Sequence, residues 1–447
     1  MNNSVIFQKL LTEQWLSPAQ ILSALSHLTH LVYLKNVNQP VIAFFASEYM
    51  LKQDQITQNF KRVALDQYQE KSSAIHFNHF FKDNSKTHHS DFKGGIIGFI
   101  SYDDAAQQQV SIQEKKQPAL FLGVYRSYLK LTPQGWTFFS DEDEAEEIFQ
   151  LIQAALTNKK NQSFLLTQAC NARWSKNEYQ AAFKQVQEYI KAGDCYQINL
   201  TQEFTAKAQG CLLDIAEDFW KLTDAPYSGY LKIDDFELLS CSPELFIDFE
   251  ANRKIVTRPI KGTMPRYADP KQDEQSKQRL IDSKKDQAEN VMIVDLLRND
   301  LSVYAETGSV KTPQLFEIES FNQVHHMVSE VTATLKDESN PFDVLMAALP
   351  GGSITGAPKI RAMQIIDELE GAPRGAYCGS LGYFNFDGTG SWNILIRSIQ
   401  KYQDDVSLWA GGGVTIASDC DAEYQECFDK VSAMLDLLNT WQKSSET

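Results

Sequence analysis

Lys261 and Glu244 are the first two side chains in this sequence whose chemistry is complementary. They stand in the stretch Cys241 to Arg266, CSPELFIDFEANRKIVTRPIKGTMPR, which reads as strand, turn, strand. A two-residue hairpin loop at Asn252 and Arg253 places Glu244 opposite Lys261. A carboxyl and an amine on one face make either a cross-strand surface ion pair or an acid beside a nucleophile. Pro259 has no N–H to donate, so it assigns part of the second strand to a sheet edge or a bulge.

Two further carboxylates have the setting of hard-cation ligands. Glu289 lies in KKDQAENVMIVDLLRND, Lys284 to Asp300, where Val291, Met292, Ile293, Val294, Leu296 and Leu297 point to nearly all sides and predict a helix with a buried middle. A carboxylate on the face of Ile293 and Leu296 either closes the polar first turn or is buried, and a buried one must be paired or bind a metal. Asp295, Arg298, Asn299 and Asp300 read as caps and local ion pairs. Glu426 shares a polar stripe with Glu423 and Lys430 on a predicted C-terminal helix from about Asp421. That stripe is either a solvated i, i+4 Glu–Lys pair or a source of oxygen ligands of the kind that hold Mg2+ together with substrate and water.

Glycine and arginine supply the remaining candidates. GGSITGAPK, Gly351 to Lys359, has the spacing of a phosphate loop, but Ala357 and Pro358 stand where Lys and Ser or Thr are required, which disfavours nucleotide hydrolysis. Gly411, Gly412 and Gly413 interrupt the strand-like LWAGGGVTIAS, as a close backbone approach to a ligand or a bulge would demand. Arg397 stands amid apolar residues in NILIRSI, and an interior guanidinium usually meets a carboxylate.

The elements that must position these residues are legible in part. Ser175 and Glu178 form a capping box, Tyr179, Phe183, Val186 and Ile190 recur at helical spacing, and Gly193 suits a left-handed terminator. Tyr196, Ile198 and Leu200 then alternate as a strand. A second helix is predicted from Pro358 through Ile360, Met363, Ile366 and Leu369 to Gly371. Residues 1–165 carry short apolar runs, Val41 to Ala46, Gly94 to Ile100 and Leu120 to Tyr125, which read as strands; Ile148 to Leu156 reads as a short helix after an acidic, solvated run. Strands are many and βαβ repeats few. The expected class is α+β, a large, mainly antiparallel sheet assembly, sandwich-like, with helices packed outside it. Residues 1–165 and 172–441 are the expected amino-terminal and catalytic regions.

Composition excludes several classes. Hydrophobic residues at 43% and charged residues at 22% describe a folded, water-soluble chain. A net charge of -16 argues against a general nucleic-acid binder, so an anionic ligand needs clustered cations or a metal. The seven cysteines form no CxxC pair and read as reduced thiols, hence a cytoplasmic setting. Neither a signal peptide nor an 18-residue apolar run is seen, so no membrane association is expected.

Taken together, SPE, PIKGTMPR, AENVMIVDLLRNDL, HHMVS, GGSITGAPKIRAMQII, GSLGYF, ILIRS and AGGGVTIASD resemble the chorismate-utilising enzymes, strongly over Trp174 to Leu438. GGIIGFISYD, Gly94 to Asp103, resembles the family's amino-terminal part. The resemblance implies chorismate as substrate and Mg2+ held by Glu289 and Glu426 against the ring carboxylate. It also implies that Gly262, Thr263, Tyr383, Arg397, Gly411, Gly412, Gly413 and Lys430 hold the substrate carboxylates, that His326 lies near the ring, and that Glu244 protonates the departing C4 hydroxyl.

Two positions separate the family's branches. Members that use water as nucleophile carry a lysine base where this chain has Gln197, so isochorismate and salicylate formation are disfavoured and ammonia is the expected nucleophile. Lys261 in PIKGT, where anthranilate-forming members resemble PIAGT, implies amination at C4 to 4-amino-4-deoxychorismate, on the way to para-aminobenzoate and folate. In that mechanism Lys261 attacks C2 to give a covalent intermediate, which ammonia opens at C4. Anthranilate or isochorismate formation is the alternative. No Cys-His-Glu amidotransferase region is found, so ammonia is expected from a separate glutamine amidotransferase subunit. A phosphate-loop enzyme would bind ATP, and a silent binding subunit would hold chorismate without consuming it.

Overall fold

A computed structural model describes residues 6–37, 39–81, 91–157, 163–320 and 324–442. Two 12-stranded sheets carry the fold. The first runs, by neighbouring strands, Phe7–Leu10, Gly135–Ser140, Ser127–Thr132, Val41–Ala43, Val32–Leu34, Tyr227–Ile233, Phe236–Ser242, Ser398–Tyr402, Asp405–Thr415, Gln197–Gln209 and Leu165–Ala172. The second runs Ile260–Pro265, Val324–Thr334, Lys254–Thr257, Leu245–Phe249, Gly390–Asn393, Ser380–Asn385, Gly95–Ile100, Leu120–Tyr125, Glu48–Gln53, Ile56–Ala64 and Gln67–Lys71. The two-residue Gly356–Ala357 pairs beside Gln197–Gln209 in the first sheet, and the ten-residue Lys311–Ser320 pairs along Val324–Thr334 in the second. All pairings between these strands are antiparallel, as the sequence predicts.

Alternation along the strands makes three apolar layers. Val32, Leu231 and Leu238 of the first sheet meet Ile97, Phe99, Phe121 and Leu381 of the second, which is the sandwich interior. Outside the first sheet, Ile21, Leu22, Ile148, Ile152 and Leu438 of helices cover Phe138, Leu129, Phe204 and Leu408. Outside the second, Ile293, Val294 and Leu297 of the helix Lys284–Ser302 and Val344 and Leu345 of Pro341–Ala348 cover Phe384, Trp392 and Val331. The α+β sandwich with outer helices is therefore observed. Both sheets draw strands from before and after residues 165–172, so that boundary separates no two cores.

Local signals behave as expected. The helix Lys176–Ala192 starts at the Ser175–Glu178 capping box and ends at Gly193 with φ 83°. Lys359–Glu370 follows Pro358 and stops at Gly371, φ 62°. The predicted short helix is Ala145–Leu156; the polar stretch after it lies mostly outside the described residues. Two expectations fail, one on side-chain direction and one on helix continuity. The helix Lys284–Ser302 is amphipathic, with Val291 42% exposed, because only one face meets the sheet. The C-terminal helix is two, Cys420–Asp429 and Ser432–Asn439, broken at Lys430 and Val431.

The hairpin register differs by one residue. Asp248 pairs with Val256 and Phe249 with Ile255, so a four-residue connection, with Asn252 and Arg253 both at positive φ, replaces the expected two-residue loop. Continued, this register sets Glu244 level with Ile260 rather than Lys261. After Pro259 the chain leaves that partner altogether: Ile260–Pro265 pairs only with Val324–Thr334 and forms the sheet edge, as a proline there requires. All seven cysteines are free thiols. No helix of the described residues is long and apolar enough to cross a membrane.

Candidate active site

A cavity of about 850 Å3 opens where the two sheets and two outer helices meet. Gln197–Gln209 and Asp405–Thr415 supply Asn199 and Gly411 to Gly413; the edge strand supplies Lys261, Gly262 and Thr263; Lys284–Ser302 supplies Glu289 and Cys420–Asp429 supplies Glu426. Glu244, His326, Arg397 and Lys430 also line it. Thus twelve of the thirteen expected site residues share one cavity, although they come from positions 244 to 430 of the chain.

Lys261 and Glu244 reach the cavity by different routes. Gly262, at φ 83°, turns the edge strand where a Cβ would lie 2.7 Å from Leu280 and 2.9 Å from Asp286, so only glycine permits this bend. The Lys261 amine donates to the Ser353 carbonyl at 3.4 Å. Burial lowers the affinity of Lys261 for its proton, with Lys430 adding to the effect against the pull of Glu289 and Glu244. Glu244 is 7% exposed. Burial pushes its carboxyl up to about 7, against the opposing effect of Lys261. Neutral amine and protonated acid are thereby both favoured in one enclosure, the pairing that nucleophilic attack with leaving-group protonation requires.

Three carboxylates gather beyond them. Glu423 is 2% exposed and accepts from Ser418 at 2.7 Å. At Gly412 a Cβ would sit 3.0 Å from Glu423 and 3.1 Å from Glu426, so the bare backbone there is what admits both carboxylates. Glu289 holds one buried oxygen, Oε1, with no hydrogen-bond partner, and burial raises its proton affinity. The Lys285 ammonium lies 3.4 Å from Glu423 and 4.0 Å from Glu289, bridging the two. Burial would raise Glu426 as well, but Lys430 at 2.7 Å holds it below the ordinary carboxylate range. Lys430 also donates to the Gly411 carbonyl at 2.7 Å.

The donor set suits a hard divalent ion. All three candidates are carboxylate oxygens, one of them buried and unsatisfied, and Mg2+ favours such ligands. Among the described residues no group of three or more His, Cys, Asp or Glu side chains is placed to hold a metal ion by itself. Mg2+ takes one or two carboxylates together with water and substrate oxygens, and Glu289 and Glu426 are the two that would hold it.

The opposite wall is cationic. Arg397 lies at φ 49°, a left-handed conformation that costs a non-glycine residue on the order of 1 kcal/mol or more and recurs at functional sites. Among the described residues its guanidinium pairs with no carboxylate, contrary to the expectation for an interior arginine, which leaves it available to an anion in the cavity. His326 stands beside it, with Nδ1 2.8 Å from the Thr263 hydroxyl; burial first, and Arg397 second, push its imidazole down to about 4, so it is neutral. A second cavity of about 660 Å3 shares Pro243, Val324, His326 and Arg397 with the first.

Tyr383 is the residue the fold does not bring in. Its ring faces the layer between the sheets, packed on Phe92, with its hydroxyl accepting from Asn36 at 3.3 Å, whereas its neighbour Phe384 faces the helices. The tyrosine on the cavity wall is Tyr377, stacked on Trp409 at 5.9 Å. Glu423, Lys285, Asn199 and Ser353 also line the cavity without having been singled out as site residues; only Glu423 had a signal, its place in the stripe with Glu426 and Lys430. Gln197 is fully buried behind Gly413, and neither of its amide atoms has a partner. The glycine triplet is regularly paired, Thr201 with Gly411 through Asn199 with Gly413, so it is no bulge.

A family model described as chorismate binding enzyme matches residues 32–436. The chain is 44% identical to aminodeoxychorismate synthase component 1 of Klebsiella aerogenes and 42% identical to that of Escherichia coli K12, in each case over 79% of both chains. The crystal structure of anthranilate synthase component I from Streptococcus pneumoniae TIGR4 superposes with a TM-score of 0.76 at 26% identity, covering 89% of this chain and 92% of that one. With the match spanning both sheets and every wall of the cavity, the chain belongs to the chorismate-binding enzymes, in the family of the aminodeoxychorismate synthase component 1 proteins.

Proposed function

We propose that this chain replaces the C4 hydroxyl of chorismate with an amino group from ammonia, giving 4-amino-4-deoxychorismate for para-aminobenzoate and folate synthesis. The observation that carries the reading is the Lys261–Glu244 pair, an amine with lowered and a carboxyl with raised proton affinity lining one cavity. The names of the similar proteins support it.

Lys261 attacks C2 as the C4–O bond breaks, the ring double bonds shift, and Glu244 protonates the departing hydroxyl to water. The proton lost by the alkylated amine returns to Glu244. Ammonia then bonds to C4 while the C2–N bond breaks, and the proton ammonia loses restores the Lys261 amine. The enolpyruvyl group stays in place. Holding the first nucleophile on the protein replaces a bimolecular step by an oriented one. The Gln197 amide is no base, which disfavours activation of water and agrees with an amine as second nucleophile.

Glu289 and Glu426, with Glu423 beside them, would hold Mg2+, which when bound supplies positive charge for the ring carboxylate. Arg397, Lys430 and the amides of Gly411 to Gly413 hold the carboxylates of the substrate, and neutral His326, fixed by Thr263, packs near the ring. Ammonia comes from a separate glutamine amidotransferase, consistent with the words component 1 in the relatives' names. A cytoplasmic location belongs to the same reading and is supported by the free thiols. The test is product identification from chorismate, Mg2+ and ammonium: 4-amino-4-deoxychorismate supports the reading, and anthranilate or isochorismate as sole product overturns it.

A further inference from the structure

Arg374 and Glu370 form the most deeply buried ion pair among the described residues, each side chain 1% exposed, and neither lines the cavity. The guanidinium grips the carboxylate with two bonds, Nε to Oε2 at 2.8 Å and Nη2 to Oε1 at 2.7 Å. Nη1 and Nη2 also donate to two backbone carbonyls, Ile354 at 2.9 Å and Asn199 at 2.8 Å. Glu370 in turn accepts from the Thr201 amide at 2.9 Å and hydroxyl at 2.6 Å. The Tyr102 ring lies 4.7 Å from the guanidinium carbon.

The two residues whose carbonyls Arg374 holds, Asn199 and Ile354, line the cavity. Asn199 lines it directly and reinforces the same turn, its side chain donating to the Ile354 carbonyl at 2.9 Å and its amide to Thr355 at 2.8 Å. Ile354 follows Ser353, whose carbonyl receives the Lys261 amine. Tyr377, on the cavity wall, stands three residues after Arg374, and the chain between is anchored by Gly375 donating to Asp103 at 3.0 Å and Ala376 to Gln400 at 2.8 Å.

A buried ion pair is weak support for stability, since well-packed apolar residues of similar volume often replace one without loss. What an apolar pair cannot reproduce is a planar fork that fixes two carbonyls and a carboxylate at once. We propose that Arg374 and Glu370 are positioning residues for the reaction proposed above: they set the Ile354 and Asn199 carbonyls, hence the Ser353 carbonyl, and so aim the Lys261 amine. The inference rests on that reaction for its catalytic meaning but not for its geometric one. A displacement of about 1 Å in a reacting group costs on the order of a hundredfold in rate.

The test uses the full chain, with chorismate and Mg2+, in two variants: the paired replacement Arg374→Met with Glu370→Met, and Arg374→Lys alone. The Met pair should keep chorismate affinity within about threefold, measured by equilibrium binding in a Lys261→Ala background where no adduct can form, and with Lys261 intact should lose roughly a hundredfold in kcat with KM little changed. Arg374→Lys keeps the charge but not the fork; it should fold and lose kcat in the same sense, which serves if the Met pair does not fold. A folded Met pair with kcat within threefold of the parent, or unchanged kcat in Arg374→Lys, overturns the proposal. Labelling of Lys261 by a small amine-reactive reagent, read by peptide mass spectrometry, follows the amine without turnover. An altered Lys261 labelling rate in Arg374→Lys supports the proposal even if the parent makes no aminated product, in which case the reaction is what fails. An unaltered rate overturns the positioning role.

Discussion

The amine of Lys261 and the carbonyl of Ser353 lie 3.4 Å apart, and that contact holds the only lysine of the edge strand over the cavity. With chorismate and Mg2+ but no ammonia, the first substitution should proceed and the second should not. A chorismate-derived adduct on the Lys261 peptide should then accumulate. Lys261→Ala should abolish it and lower kcat by roughly a hundredfold or more, with chorismate binding largely kept through Arg397 and Lys430. Rapid quenching and peptide mass spectrometry decide; a fully active Lys261→Ala variant removes the covalent step.

Glu244 predicts a pH dependence. Its carboxyl titrates near 7 because it is buried, and the reaction needs it protonated, so kcat/KM should fall about tenfold per pH unit above that value. The acid limb belongs to Lys261, whose neutral form is favoured by burial; the two titrate as a coupled pair. The linkage has a sign independent of turnover. A carboxyl raised from 4.5 stabilises the fold fully below that value and loses the contribution as pH rises through about 7. Glu244→Gln should therefore gain stability over the parent between pH 5 and 9, by at most about 3 kcal/mol, in denaturant titrations. A pH-independent difference would remove Glu244 from the role of buried acid.

Glu289 and Glu426 lie on different helices, so two substitutions test one ion. Glu289→Gln and Glu426→Gln should each weaken Mg2+ binding by roughly 10- to 100-fold or more. Chorismate binding should weaken with it, because the ion joins protein to substrate. Calorimetric titration with Mg2+ and chorismate together is the measurement; unchanged affinity in both variants counts against the site.

Arg397 and the two tyrosines test the substrate pose. Loss of a charged hydrogen bond costs about 1.5–3 kcal/mol, so Arg397→Met should raise the dissociation constant of chorismate roughly 10- to 150-fold. Tyr377→Phe should alter KM or kcat, and Tyr383→Phe should leave both nearly unchanged because its hydroxyl faces Asn36. The reverse ranking would restore Tyr383 as a substrate contact.

The isolated chain should consume ammonium but not glutamine. Glutamine hydrolysis by the purified chain at a rate matching its synthase turnover would sink the expectation of a separate amidotransferase.

Much of this protein is local and therefore readable in the order of its residues. The Ser175 capping box, Gly193 and Gly371 each act over one helical turn, and the short apolar runs Gly95–Ile100 and Leu120–Tyr125 state buried strands without knowing their partners. The ordered motifs from Ser242 to Lys430 carry the resemblance that names Lys261, Glu244, Glu289 and Glu426 together, and all four line the one cavity. Tertiary structure decided what depends on register and on neighbours far along the chain. One residue of register moved Glu244 from opposite Lys261 to opposite Ile260, yet both reach the cavity because Gly262 bends the edge strand. The two-residue period of a strand turned Tyr383 inward and Phe384 outward, while the tyrosine of the cavity comes from the separate segment after Arg374. A single step along a strand exchanges its two faces, and the donation by Arg374 to the carbonyls of Asn199 and Ile354 is set by packing between segments that share no local pattern. The ordered motifs therefore carried the resemblance from which the chemistry was expected, and only the packed sheets decided which atoms meet.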